Sequence, residues 1–181
     1  MDFLDRKTLT EAVLYILNAT KGIDFYHVFK IMYFAEQKHL VRWGTRMTEE
    51  CYLAYEYGPV PSSLYSAVKS EKKGSCDMLK GAVSFAGEDA PNVLLPLRTP
   101  DMDYLAQSDI ECLDESIREN AHLTFGQLKE KSHDSAWREA YENKTRNGND
   151  AMSVLSIARA AGATEEMLDY IQEQTEELVL A

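Results

Sequence analysis

The side chains of this 181-residue chain best suited to nucleophilic or metal chemistry are four histidines, His27, His39, His122 and His133, and three cysteines, Cys51, Cys76 and Cys112. They form no H-E-x-x-H motif and no Cys/His pair at zinc-ligand spacing. The cysteines are odd in number, scattered and without a C-x-x-C, which fits a reducing compartment better than a disulfide framework. His133-Asp134-Ser135 holds the residue types of a hydrolase triad. Consecutive helical residues point about 100° apart, however, and cannot build one hydrogen-bonded relay. No G-x-S-x-G, phosphate-cradling glycine run or calcium loop occurs. No catalytic residue, cofactor or metal ligand is assigned, and the chain is read as a non-enzyme.

Two histidines have structural explanations. His39 lies four residues after Ala35 on a helix that is apolar on most sides, where a hydrogen-bonded structural histidine is expected. His133 and Trp137, four apart, are expected on one helical face, with imidazole packed against indole. That pair would anchor a late helix to the core, with an interface hot spot as the competing reading. A hydrolase using His39 or His133 would need either one to meet a carboxylate in a pocket. Lys30, Lys38 and Arg42 can line one side of the same helix, either snorkelling from a buried element or facing an acidic partner or phosphate.

The elements that position these residues follow from periodicity and punctuation. Thr8-Leu9-Thr10-Glu11 reads as a capping box opening a helix with the stripe Leu9, Val13, Ile16 and Leu17, stopped at Gly22. Asp24 caps the next helix, which runs to about Leu40 and closes at Trp43-Gly44. Cys51–Tyr57 alternates as a strand, and Gly58-Pro59-Val60-Pro61 is expected to break it, because neither proline can donate to a ladder. Pro61 opens a helix through Ser63, Leu64, Ala67 and Val68, and Lys69–Gly81 reads as a polar loop.

Val83–Ala86 and Asn92–Leu97 predict a hairpin. Later helices start at Ser108-x-x-Glu111, Thr124-x-x-Gln127 and Thr164-x-x-Met167, with turns at Asn147-Gly148-Asn149-Asp150 and Gly162. The last helix carries a stripe of Met167, Leu168, Ile171 and Leu178. The expected fold is mainly α (α+β): a helical domain with a small antiparallel sheet of about three short strands inserted mid-chain.

Charge narrows the partners. The net charge is −11, split as +1 over residues 1–80 and −12 over residues 81–181, with a pI near 4.8. Such a balance argues against phosphate-backbone binding by the whole molecule, which depends on Lys and Arg. The start is acidic where a signal peptide needs a basic n-region, and no run approaches 18 apolar residues. A soluble, cytoplasmic protein without a membrane partner is expected.

Phe29-Lys30-Ile31-Met32-Tyr33-Phe34-Ala35, then His39-Leu40, Gly44, Tyr52-x-Ala54 and Tyr57-Gly58-Pro59-Val60-Pro61-x-x-Leu64-Tyr65, resembles the Panacea-domain family of SocA-like antitoxins. The family signature is a K-x-x-Y-F-A helix, a short strand ending in Y-G-P-V, and a following helix. Leu105 to Leu113 is similar to its later helix, and His133 with Trp137 to its H-x-x-x-W ending. The likeness covers roughly residues 9–140. It implies a domain over 1–148; residues 149–181 lie outside the likeness and are expected to form a C-terminal helical extension packed on the same domain.

It also implies protein binding: direct neutralisation of a toxin encoded by a neighbouring gene, with a further role as adaptor to a cytoplasmic protease. Many relatives carry a DNA-binding domain. The match begins near residue 9, so none is expected before it. The expected partner-binding residues are Lys30, Tyr33, Tyr55, Tyr57, Gly58, Pro59, Val60, Pro61 and Tyr65, with His39, His133 and Trp137 as structural motif residues. A stiff corner with two fixed φ angles loses little entropy on binding. The alternatives are a DNA-associated regulator of a mobile element using the basic side of residues 24–42, and the hydrolase named above.

Overall fold

A computed structural model describes residues 2–75 and 77–180, with side chains through Thr175; Cys76 and the Leu178 side chain therefore lie outside the described residues. Asp2 caps the first helix, α1 (Phe3–Thr20): its carboxylate accepts from Asp5 N at 2.9 Å, and the Asp5 carboxylate accepts from Asp2 N at 2.9 Å. The helix thus starts five residues before the expected box at Thr8. Inside it, the Thr10 hydroxyl donates to Arg6 O at 2.8 Å, as a helical threonine does when no end is near.

Asp24 caps α2 (Phe25–Trp43), accepting from His27 N at 3.1 Å, and Gly44 ends it with φ 65°. From Val28 to Glu36 no residue is more than 6% exposed, so α2 is the axis of the molecule. It packs chiefly against α4 (Gln107–Asn120), where buried Ser116 donates to Ile31 O at 2.7 Å. The box expected at Ser108 shifts by two positions: Ala106 is the N-cap, and the Asp109 carboxylate accepts from its N–H at 2.8 Å.

The strands form two small antiparallel sheets. In the first, β1 (Ile23–Asp24) pairs with β5 (Val93–Pro96), which pairs with β4 (Val83–Phe85), so the expected hairpin is present. In the second, β2 (Tyr52–Tyr55) pairs with β3 (Gly58–Pro61), with Leu53 opposite Val60 and Ala54 opposite Pro59. Gly58–Pro61 is therefore the return strand, where a break was expected. The prolines fit for a geometric reason. Ala54 N donates to Asp150 O at 2.7 Å, and Met152 N donates to Tyr52 O at 2.8 Å. Tyr52 and Ala54 thus direct their backbone groups away from β3, and their partners Pro61 and Pro59 occupy ladder positions that need no N–H.

Helix α3 (Ser62–Lys72) follows without a loop, its end capped by buried Glu50, which accepts from Ser63 N at 2.9 Å and Leu64 N at 2.8 Å. It takes up part of the expected polar loop, and Leu79 beyond it is buried. Next come α5 (Phe125–Ser132), α6 (Ser135–Asn147), α7 (Val154–Ala160) and α8 (Glu165–Leu180). One core joins α1 to α4 and the first sheet; the second gathers Tyr33, Tyr52, Leu128, Ala136, Met152, Ile157, Leu168 and Ile171. Among the described residues, no helix is long and apolar enough to cross a membrane.

The Asp24 cap also carries a titration. Its carboxylate lies 2.6 Å from His27 Nδ1, and this hydrogen bond holds the His27 pKa above its ordinary value despite burial. A raised histidine pKa stabilises fully below the unfolded value and fades as pH rises through the folded one. Asp24→Ala is expected to cost about 1 kcal/mol at pH 8.5, the loss of a cap, and more at pH 5.5. Urea unfolding at the two pH values checks this; an equal cost at both would refute the His27 contribution.

Candidate partner-binding groove

The corner between β2 and β3 is held from outside by three side-chain donors. Tyr55 O accepts from the Trp137 indole N–H at 2.9 Å, Tyr57 O from the Tyr26 hydroxyl at 2.9 Å, and Pro59 O from Lys30 Nζ at 2.7 Å. Two of these donors stand on α2 and one on α6, so three alternate carbonyls of residues 55–59 are clamped by two helices. Gly58 is required twice over. Its φ is +101°, and a Cβ there would lie 2.5 Å from Ser132 Oγ and 2.8 Å from Lys30 Nζ.

Each donor is itself braced. Lys30 is fully buried, with the Tyr26 ring 4.8 Å from its Nζ. Burial pulls its pKa down to about 7, against the opposing pull of Asp134. Tyr33, also fully buried, donates to Asp134 Oδ2 at 2.7 Å, and Gln37 donates to the same oxygen at 2.8 Å. The other Asp134 oxygen caps α6 by accepting from Trp137 N at 2.9 Å.

His133 and Trp137 stack at 3.6 Å and 9°, although they do not share a helix. His133 closes α5, and Asp134 begins α6. Burial, with Lys129 and Lys30 nearby, lowers the His133 pKa. Tyr141 stacks on the far side of Trp137 at 4.8 Å.

Beside this corner lies a groove of 330 Å³. Helix α2 contributes Phe25, Tyr26 and Phe29, the hairpin Tyr55, Tyr57 and Val60, and α3 Tyr65, Val68, Lys69 and Lys72. Rings meet edge to face inside it, Tyr55 against Tyr65 at 5.7 Å and Phe29 against Tyr65 at 6.1 Å. Tyr57 is 49% exposed and Phe125 47%; the two rings are 5.6 Å apart and extend the aromatic surface past the groove.

The nine expected partner-binding residues thus divide by burial. Tyr55, Tyr57 and Tyr65 line the groove and reach solvent. Lys30, Tyr33, Gly58, Pro59, Val60 and Pro61 are buried in this chain, so they shape the corner and, apart from Val60 in the groove wall, do not form its surface. Phe25, Tyr26, Phe29, Val68, Lys69 and Lys72 complete the groove lining and were not among the expected partner-binding residues. The spacing Tyr65, Lys69, Lys72, which puts all three on one face of α3, is the signal in the sequence that points to the two lysines.

The remaining candidates fall elsewhere. His39 is 4% exposed, with Nδ1 2.7 Å from Thr45 O and Nε2 3.2 Å from both Asp109 Oδ1 and Ser108 Oγ. Burial opposes its protonation, but the Asp109 hydrogen bond and the Thr45 carbonyl outweigh it and raise the pKa. Lys38 pairs with Glu119 at 2.8 Å, and Arg42 with Glu115 at 2.5 Å. With Lys30 buried, the basic side of α2 on which DNA binding would depend is already occupied by acids of α4. Among the described residues no group of three His, Cys, Asp or Glu side chains is arranged to hold a metal ion.

Residues 28–138 match the family model described as antitoxin SocA-like, Panacea domain. No curated protein and no solved structure matches the chain.

The buried lysine sets a pH dependence. A folded-state pKa near 7 against an ordinary 10.5 means that the unfolded chain binds more protons between those values, so stability rises with pH across that window. The neutral amine still donates to Pro59 O, and the clamp persists. Lys30→Met removes the titrating group. Relative to that variant, the wild type is expected to gain stability between pH 6.5 and 9.5, on the order of 3 kcal/mol. Parallel pH profiles of the two proteins in denaturant titration would contradict a neutral buried lysine.

Proposed function

The chain belongs to the SocA-like antitoxin family, Panacea domain, and from that premise we propose that it is a cytoplasmic antitoxin that neutralises a protein toxin encoded beside it by direct complex formation. The observation that carries this reading is the clamped corner beside an open aromatic groove. A surface held by three long-range hydrogen bonds needs little ordering when a partner docks, and tyrosine is among the side chains enriched at binding hot spots. Action by binding and not by catalysis fits the placement of the histidines. His39 is buried with both ring nitrogens engaged, and His133 is stacked on an indole. Delivery of the bound toxin to a cytoplasmic protease is the further step that the family resemblance suggests.

Co-purification with the product of the adjacent gene, together with growth rescue on co-expression, tests the proposal. A stable complex and restored growth are expected; neither appearing would end it. Tyr57→Ala trims an exposed ring and is expected to weaken the complex about tenfold without unfolding the chain. A shortened toxin half-life in cells with the protease, relative to cells lacking it, reads out the adaptor step separately.

A further inference from the structure

We infer that the aromatic groove takes an acidic segment of the toxin, anchored by one or two large apolar side chains; this rests on the antitoxin reading above. The walls supply the apolar half of the argument. Phe25, Tyr26, Phe29, Tyr55, Tyr57 and Tyr65 supply most of the lining of the groove's 330 Å³, a volume suited to large aliphatic or aromatic groups, and pockets lined chiefly by aromatic side chains with a few polar groups are where such groups bind.

The rim supplies the charge. Lys69 Nζ stands 4.1 Å from the Tyr65 ring centre, Lys129 Nζ 5.2 Å from that of Tyr57, and Lys72 Nζ 3.3 Å from Asn92 Oδ1. Lys38, Lys131 and Lys144 pair with carboxylates. Among the described residues Lys69, Lys72 and Lys129 do not, and neither do Lys7, Lys21, Lys73 and Lys80; what sets the first three apart is that they stand around one aromatic groove, in a chain that carries eleven more acids than bases. A ring face is a weaker partner for an ammonium than a carboxylate is. Distant acids do not cancel the rim, because at physiological salt fields decay over about 8 Å. Three cations without carboxylates around an apolar slot complement a carboxylate-flanked hydrophobic anchor.

The probe is the purified product of the adjacent gene, titrated onto the full chain. Lys69→Glu/Lys72→Glu is expected to weaken binding by about tenfold or more and to flatten its salt dependence. Lys69→Gln/Lys72→Gln is expected to fall between. The charge-matched control Arg118→Glu/Arg159→Glu, away from the groove, is expected to stay within about twofold of wild type. Circular dichroism verifies that all variants fold.

Wild-type affinity in the Lys69/Lys72 variants would overturn this inference while leaving the antitoxin reading standing, since the complex would then form elsewhere. Failure of the wild type to bind would remove that reading and the inference with it. A concentration-dependent dimer dissolved by the same substitutions would assign the groove to a second copy of this chain and also overturn it.

Discussion

The fold turns on one requirement: the corner at residues 55–59 projects carbonyls that its own two-stranded sheet does not fully satisfy. The Pro59 carbonyl is buried, and leaving it without a donor would cost about 1–3 kcal/mol. Lys30, Tyr26 and Trp137 provide the donors, and to reach it α2 and α6 must stand where they do. Gly58 then has no freedom to be anything else, because the lysine head fills the space of its Cβ. The two cores meet at this point. Tyr33 belongs to one and Val60 to the other, and both lie against the clamped strand or the network bracing it.

Stability alone is a weak reason for a lysine in that position. Depressing its pKa from 10.5 to about 7 corresponds to a cost of the charged form on the order of 5 kcal/mol, more than one hydrogen bond to a carbonyl returns. The reward is geometric: a single long, thin side chain crosses from the axis of α2 to Pro59 and fixes the corner rigidly. Asp134 does similar work with fewer costs. Its two oxygens serve Tyr33, Gln37 and the first turn of α6 at once, so helix start and motif helix share one anchor.

Much of this was legible in the sequence, and the parts that were not share a cause. Asp24 and Gly44 mark the ends of α2 because caps act within four residues, and the 83–97 hairpin is punctuated just as locally. Thr8 misled because a second capping pattern, Asp2 with Asp5, lay upstream. Gly58–Pro61 read as a break because whether proline harms a strand depends on which way its nitrogen faces, and the partner strand decides that. His133 and Trp137 were expected together from a four-residue spacing. They do meet, but across a helix junction created by Asp134. The groove needed α2, the hairpin and α3 to converge; the motif ran through all three, but which of their side chains face one another is set by long-range packing, so Phe25, Tyr26, Lys69 and Lys72 were not anticipated.

The second sheet also has no place left for another strand. One edge is taken by residues 150–152, whose Asp150 O and Met152 N bond to Ala54 and Tyr52. The other edge carries two prolines that have no N–H to offer. A hairpin that presents aromatics to solvent would ordinarily invite edge-to-edge pairing and aggregation. Here that route is blocked on both sides, so anything that docks on this hairpin gains nothing from backbone templating and meets side chains alone.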